Sequence, residues 1–280
     1  MTEQELLQKA DAFIDANINQ IVQDIKTIVD IPSVKSAPQP GAPFGTEIRR
    51  ALTAALGIAE RMGFHTVNCD DYLGYAELEG ERSEYIGTIA HLDVVPAGNG
   101  WHTDPYDMTV VNGYLMGRGV IDNKGPLILT YYMAAFFRDL GAKLPYSLRM
   151  MAGCDEESGM EDVKYYIAHN PQPVFLFTPD SEFPLCNGEK GHLDGNFTSR
   201  RFENGVIAAF TGGFATNAVP DAATVLLRCD ASRCPAAERI TVTATDEGTR
   251  IDAVGVGGHA SHAEGTVNAI GVLADYLLEH

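Results

Sequence analysis

The chain has 280 residues, of which 45% are hydrophobic and 21% are charged, and its formal net charge is −18. A chain of this size and apolar content can bury a large core, and its length predicts about two domains. The negative charge disfavours nucleic acids and anionic membranes as partners, and it favours divalent cations and neutral or cationic substrates.

Amphipathic helices are predicted at the start of the chain. Apolar residues recur at helical spacing from Glu3 to about Asp30. After a loop rich in Pro and Gly, Thr46 and Glu47 are predicted to cap a second helix, and Gly63 is predicted to end it.

Strands and a further helix then alternate. Strands are predicted at Phe64–Asn68, Tyr75–Leu78, Tyr85–Ala90, Ser147–Ala152 and Val174–Thr178, and a helix at Pro126–Leu140. Helices interleaved with strands predict a layered α/β domain.

The pattern changes near residue 190, where we place a domain boundary. Beyond it, short strands are predicted at Val206–Phe210, Thr224–Cys229 and Ile240–Ala244, and a helix at Val267–Leu278. The predicted domains are therefore residues 1–190 and 191–280.

Four groups of acidic or imidazole side chains stand out beside these elements. His91 and Asp93 follow a predicted strand and share one of its faces, Asp122 precedes a helix, and Glu156-Glu157 and Asp180 follow further strands. Open α/β sheets bind ligands outside the carboxyl ends of their strands, so the groups are expected to converge. One imidazole with several carboxylates suits Zn, Mn or Co, and a bridging carboxylate holds two such ions about 3.5–4 Å apart.

Taken singly, these motifs have ordinary structural interpretations. A His-x-Asp pair is often a surface pair, adjacent acids often form a solvated turn, and an Asp after a strand often caps a helix. Residue types and spacing alone therefore support only a metal-site hypothesis.

The order of the motifs extends this hypothesis to a family. His91–Gly98, Arg118-Gly119 and Asp122–Pro126 resemble the zinc-dependent dipeptidase, aminoacylase and carboxypeptidase family, and Asp155–Gly159 and Asp180–Pro184 are similar to its PepV-like dipeptidases. The resemblance implies a zinc-exopeptidase-like layered catalytic domain with a mixed sheet over 1–190 and the start of an α+β lid domain over 191–280.

The same resemblance implies a ligand set for two divalent metal ions, zinc foremost, with manganese or cobalt as alternatives. His91, Asp122 and Asp180 would hold one ion, and Asp122 would bridge to a second ion that also takes Glu157.

Four further roles follow from the resemblance. Asp93 would orient the imidazole ligand, and Glu156 would be the general base that takes a proton from water and passes it to the leaving amine. Asn217 would contact substrate, and His262 would stabilise the developing oxyanion.

The resemblance also implies segments that the chain lacks. The family's lid continues beyond the position of His280 and is followed by another metal-binding His, so we expect a C-terminally truncated chain with an incomplete second metal site. Apolar surface left open would favour association with other chains. Asn123 stands where the PepV type often has a second Asp.

The expected function is metal-dependent hydrolysis of dipeptides with a free N-terminus. The alternatives are an N-acyl amino acid deacylase or desuccinylase, and an inactive fragment that binds metal. Small peptides are the expected partners, and neither nucleic acid nor membrane is expected. The five cysteines contain no Cys-x-x-Cys pair and the N-terminus has no signal-peptide pattern, so we expect a soluble, cytoplasmic protein.

Overall fold

A computed structural model of the chain describes residues 1–181, 185–188, 191, 193, 195–199 and 205–280. These residues form two compact units, Met1–Cys186 (unit 1) and Asn187–His280 (unit 2). The motif residues Glu182, Phe183 and Pro184 lie outside the described residues, as does residue 190, where the boundary is predicted.

The first helix of unit 1 begins where its sequence predicts. It starts with a capping box, in which the Thr2 hydroxyl accepts the Glu5 N–H and the Glu5 carboxylate accepts the Thr2 N–H. The second helix, in contrast, is not capped by Thr46: its N-cap is Gly45, with φ 106° and no side-chain cap. That prediction was wrong because the chain enters the helix through a backbone conformation that glycine adopts without strain.

Unit 1 contains a mixed sheet and helices. The helices are α1 (Glu3–Val29), α2 (Thr46–Arg61), α3 (Lys124–Asp139) and α4 (Glu161–His169). The strands are β1 (His65–Cys69), β2 (Leu73–Leu78), β3 (Tyr85–His91), β4 (Thr109–Val111), β5 (Tyr114–Met116), β6 (Ser147–Gly153) and β7 (Phe175–Phe177). Within the described part of the chain, no helix is both long enough and apolar enough to cross a bilayer.

The main sheet runs in the order β1-β2-β6-β3-β7. β3 lies parallel to both β6 and β7, whereas β2 pairs antiparallel with β1 and β6. The parallel strands β3, β6 and β7 therefore end at one edge of the sheet. The layered α/β fold with a mixed sheet, predicted from the sequence, is confirmed.

Alternation along the strands supplies a core to each face of this sheet. Met150 and Ala152 of β6 belong to the larger core, which α1, α2 and α3 cover with residues such as Ile128. Met151 points to the opposite face, where it joins a smaller core with Tyr166 of α4. Full burial of a large apolar side chain such as Met150 or Ile128 stabilises the fold by about 1.5–3 kcal/mol.

Unit 2 is an antiparallel sheet with one helix packed on it. Its strands are β8 (Ile207–Gly212), β9 (Ala218–Val219), β10 (Ala222–Leu227), β11 (Ile240–Thr245), β12 (Gly248–Val254) and β13 (Gly258–His259), and its helix is α5 (Ala269–Glu279). The sheet order is β11-β12-β10-β8, and β9 pairs with β13. Val225, Ile251 and Leu273 are fully buried where α5 meets the sheet.

Candidate metal centre

His91 is the last residue of β3, and it is 2% exposed. Its Nδ1 lies 2.8 Å from the backbone carbonyl oxygen of Asp93, a contact that fixes the ring and leaves Nε2 for other partners. Nε2 lies 2.9 Å from Asp122 Oδ1, 3.6 Å from Asp180 Oδ2 and 3.9 Å from Glu156 Oε2. One imidazole nitrogen therefore faces three carboxylates that are distant in the sequence.

Asp122 reaches this position through a turn that requires glycine. Gly119 has φ +88°, which favours glycine, and the backbone N–H of Lys124 donates to its carbonyl at 2.9 Å. A Cβ on Gly125 would lie 2.0 Å from the carbonyl oxygen of Val120, so only glycine fits there. α3 begins at Lys124, two residues before the predicted start at Pro126, and the peptide bond between Asp122 and Asn123 is cis.

The two adjacent glutamates lie in a short 3-10 turn, Glu156–Ser158, that follows β6. The Asp93 carboxylate accepts the backbone N–H of Glu156 at 3.2 Å and that of Glu157 at 3.0 Å. The same carboxylate lies 3.4 Å from His91 Nδ1, a longer contact. Asp93 is 1% exposed, so it links the imidazole and the glutamate turn from inside the protein.

The candidate ligand atoms, together with those of Glu156, the expected general base, form two overlapping groups. Side-chain ligand atoms of His91, Asp122 and Glu157 all lie within 4.8 Å of one another, and so do those of His91, Glu156 and Asp180. One nitrogen and several carboxylate oxygens form a donor set that suits a divalent cation of borderline hardness. The residues present therefore fit a metal ion, and they meet at the edge where the parallel strands end.

Burial and neighbouring charges shift the pKa values of the cluster. Burial raises the pKa of Glu157 to about 7, and the neighbouring Asp122 carboxylate raises it as well. Burial is also the main reason that the pKa values of Glu156 and Asp180 are raised. Burial lowers the pKa of His91, but hydrogen bonds to Asp122 and Asp93 outweigh it and raise that pKa to about 11. A bound cation would relieve this repulsion among carboxylates.

Asn123 has a role that sequence reasoning missed. It is fully buried, and its Nδ2 donates to Asp180 Oδ1 at 2.6 Å and to the Pro179 carbonyl at 3.2 Å. An amide N–H can orient the Asp180 carboxylate, whereas an ionised Asp at this position could only accept. The departure from the expected Asp was visible in the sequence, but its partner was not.

Lys35, which pairs with the acid that precedes the glutamate turn, was not identified from the sequence. Its Nζ lies 2.5 Å from Oδ1 of Asp155, which is fully buried. Asp155 also accepts the Ser158 hydroxyl at 2.7 Å and the Glu161 N–H at 3.1 Å, so it holds the last residue of the glutamate turn and the first residue of α4. No sequence signal joins a loop lysine to an acid 120 positions away.

The predicted substrate residues Asn217 and His262 belong to unit 2. The Asn217 carbonyl accepts the backbone N–H of Ala260 at 2.8 Å, next to the paired strands β9 and β13. His262 is exposed in the 3-10 turn Ala260–His262, and its Nδ1 lies 2.9 Å from the Ser261 hydroxyl. The structure thus brings the two segments together within unit 2, and their roles towards substrate stay predictions.

A cavity of about 600 Å³ lies beside these segments in unit 2. Backbone and small side chains form much of its wall, including Gly213, Ala215, Thr216 and Ala260, and Phe214 adds an aromatic ring. Phe214 is 54% exposed, so the cavity is open to solvent on that side.

The layered α/β fold has an acid-rich candidate metal centre at the edge of its sheet. The chain belongs to peptidase family M20/M25/M40, whose family model matches residues 87–264. This match confirms the family resemblance drawn from His91–Gly98 and the later motifs.

Curated proteins and a solved structure are also similar to this chain. The chain is 36% identical to YtjP of Bacillus subtilis (strain 168) over 74% of this chain and 46% of YtjP. It is 30% identical to the Beta-Ala-Xaa dipeptidase of Lactobacillus delbrueckii subsp. lactis over 94% of this chain and 59% of that protein. Human carnosine dipeptidase 1 is 32% identical with a TM-score of 0.48, over 55% of this chain and 36% of that structure. The chain thus spans about half the length of the curated relatives it matches.

Proposed function

We propose that this protein hydrolyses dipeptides that have a free N-terminus. The observation that carries the proposal is the convergence of His91 with Asp122, Glu156, Glu157 and Asp180 at the edge of the unit 1 sheet. The similarity to a Beta-Ala-Xaa dipeptidase supports dipeptides as the substrate class. We place the protein in the cytoplasm, since its cysteine spacing is not that of a disulfide-rich secreted protein.

The metal ligands in this proposal are His91, Asp122 and Asp180 for one ion, with Asp122 and Glu157 contributing to a second. Zinc is the proposed metal, and manganese or cobalt suits the same nitrogen and oxygen donors. When bound, such ions lower the pKa of water and polarise a peptide carbonyl.

Glu156 is the proposed general base. Amide hydrolysis requires a group that removes a proton from water and a proton donor for the departing amine, and one carboxylate can do both in turn. The Glu156 carboxylate lies 3.9 Å from the His91 ring and its side chain is 38% exposed, so it borders the centre and is open to substrate. The hydrogen bond from its backbone N–H to Asp93 fixes the turn that carries it.

Asn217 and His262 are the proposed substrate contacts from unit 2. Asn217 would bind the substrate by hydrogen bonds, and a protonated or N–H-donating His262 would stabilise the charge that develops on the carbonyl oxygen. Support comes from the hydrogen bond between Asn217 and Ala260, which holds the two segments in one structured region.

Paired substitutions at the glutamates test the proposal. Glu156→Gln is expected to lower kcat for dipeptides by at least about 100-fold with little change in metal content, since it removes the base and keeps the ligands. Glu157→Gln, the matched control, is expected to lose bound metal. Both variants are assayed on a dipeptide panel in zinc or manganese buffer, with metal content measured by atomic emission.

Three outcomes would contradict the proposal. Loss of metal from Glu156→Gln alone would mean that the two glutamates have exchanged roles. Hydrolysis of N-acetyl amino acids without hydrolysis of dipeptides would make the protein a deacylase. Metal binding with no turnover of either substrate would leave a protein that binds metal without catalysis.

A further inference from the structure

Two cysteines of unit 2 lie side by side, away from any residue of the metal centre in the sequence. The Sγ atoms of Cys229 and Cys234 are 3.9 Å apart, and both side chains are half-buried. We propose that this pair is a redox modification site, which closes to a reversible intramolecular disulfide on reaction with a small disulfide oxidant. The proposal is independent of the function proposed for unit 1.

Hydrogen bonds hold the backbone on both sides of the pair. Cys229 follows β10, and its carbonyl accepts the Thr249 hydroxyl at 2.8 Å. Cys234 closes a 3-10 turn by donating its N–H to Ala231 at 3.0 Å, and the Asp230 carboxylate caps that turn by accepting the Ser232 N–H at 2.9 Å. None of these bonds involves sulfur, so the fold itself sets the approach of the two thiols.

Partial exposure gives a small oxidant access to the sulfur atoms, while burial and the neighbouring Cys229 raise the pKa of the Cys234 thiol. Both cysteines pack against the unit 2 core, and Tyr276 anchors the segment beyond them by donating its hydroxyl to the Pro235 carbonyl at 2.9 Å. The pair nevertheless keeps partial exposure, which a small oxidant needs. Closing the gap to the roughly 2.05 Å of a disulfide requires side-chain rotation and a small backbone adjustment.

The reaction balances with a disulfide such as oxidised glutathione. One cysteine thiolate attacks the oxidant, forms a mixed disulfide and releases one glutathione thiolate, which takes up the proton lost by the cysteine. The second cysteine then displaces the remaining glutathione. The two cysteines lose two electrons and two protons in total, and one oxidised glutathione becomes two reduced molecules.

The remaining cysteines provide controls within the same chain. Cys69 and Cys154 are buried, whereas Cys186 is exposed. An exposed thiol is open to glutathione, whereas buried thiols react slowly. Cys186 therefore reports that the oxidant is active.

The test treats the reduced full chain with oxidised glutathione and maps its peptides by mass spectrometry. The peptides bearing Cys229 and Cys234 are expected to lose two hydrogen atoms and carry no adduct, and dithiothreitol should restore the original mass. Glutathione adducts on both cysteines of the pair, or no reaction there while Cys186 is modified, would overturn the proposal.

Single substitutions sharpen the result. In Cys229→Ser or Cys234→Ser, the cysteine left behind should hold one glutathione, because no second thiol displaces it. Circular dichroism checks that the variants fold. Phenylarsine oxide bridges two close thiols, so it should bind the pair in the wild-type chain and should not bind there in either variant. Binding that persists at the remaining cysteine of a variant would contradict a paired dithiol. The wild-type mapping decides the matter even if a variant fails to fold.

Discussion

The buried Asn123 side chain orients Asp180, one of the proposed metal ligands. Its amide donates to Asp180 Oδ1, so that the carboxylate is held by an N–H where it faces His91. Groups that orient ligating side chains typically contribute 10- to 100-fold to metal affinity. Asn123 therefore matters to the centre without contacting a metal.

Asn123→Asp tests this arrangement. The substitution replaces a donor by a second carboxylate beside Asp180, and we expect metal affinity to fall by about 10- to 100-fold. Asn19→Asp makes the same change on the exposed surface of α1 and should leave affinity unchanged. Calorimetric titration with zinc or manganese measures both. Equal affinity in Asn123→Asp and the wild type would refute an orienting role.

Polar contacts also join the elements of unit 1, and a hydrogen-bonded group around Asp24 joins three of its helices. Asp24 of α1 is fully buried, and its carboxylate accepts from Arg61 of α2 at 2.6 Å and from the Tyr132 hydroxyl of α3 at 2.8 Å. The Arg61 side chain is 53% exposed, so water can solvate it if its partner is removed. Water cannot solvate the Tyr132 hydroxyl in the same way, because Tyr132 is only 7% exposed.

Asp24→Ala should therefore destabilise the helix layer. We expect a loss of about 2 kcal/mol in the free energy of unfolding, the usual size for hydrogen bonds to a buried charged group. Asp15→Ala changes an exposed position of the same helix and should stay within about 0.5 kcal/mol. Urea unfolding followed by circular dichroism compares the two. Equal midpoints would show that the Asp24 contacts contribute nothing net.

The whole molecule carries a formal charge of −18, and its proposed ligands belong to unit 1 alone. The overall charge attracts divalent cations, and an ion that binds only the folded state stabilises it by about 2.7 kcal/mol at 100 times its Kd. This stabilisation should appear in the unit that holds the ligands.

Removal of metal by EDTA tests that expectation. Amide hydrogen exchange should become faster in β3, which ends at His91, and in β6, which precedes the glutamate turn. Exchange in β10 and β12 of unit 2 is the internal control and should stay unchanged. Exchange that rises equally in both units, or in neither, would contradict a metal centre confined to unit 1.

Local signals explain which elements could be predicted. The apolar period of α1 and the alternation of β3 depend only on neighbours in the chain, so both elements appear within one or two residues of their predicted bounds. α4 was missed because it has nine residues and few buried ones. The sequence analysis did not predict β12, although Thr249, Ile251 and Ala253 alternate with their neighbours as buried residues. This alternation is the pattern of a strand with one buried face.

By itself the sequence determined the fold class, the family and the residue types of the candidate centre, because strand ends and glycine turns are encoded over a few positions. Only the tertiary structure decided which side chains lie beside one another. Examples are Lys35 beside Asp155, Asn123 beside Asp180, and the two thiols of unit 2. Such contacts arise when separate elements pack together. The spacing of residues along one element indicates which edge or face they share, but it does not specify which individual side chains of other elements they will contact.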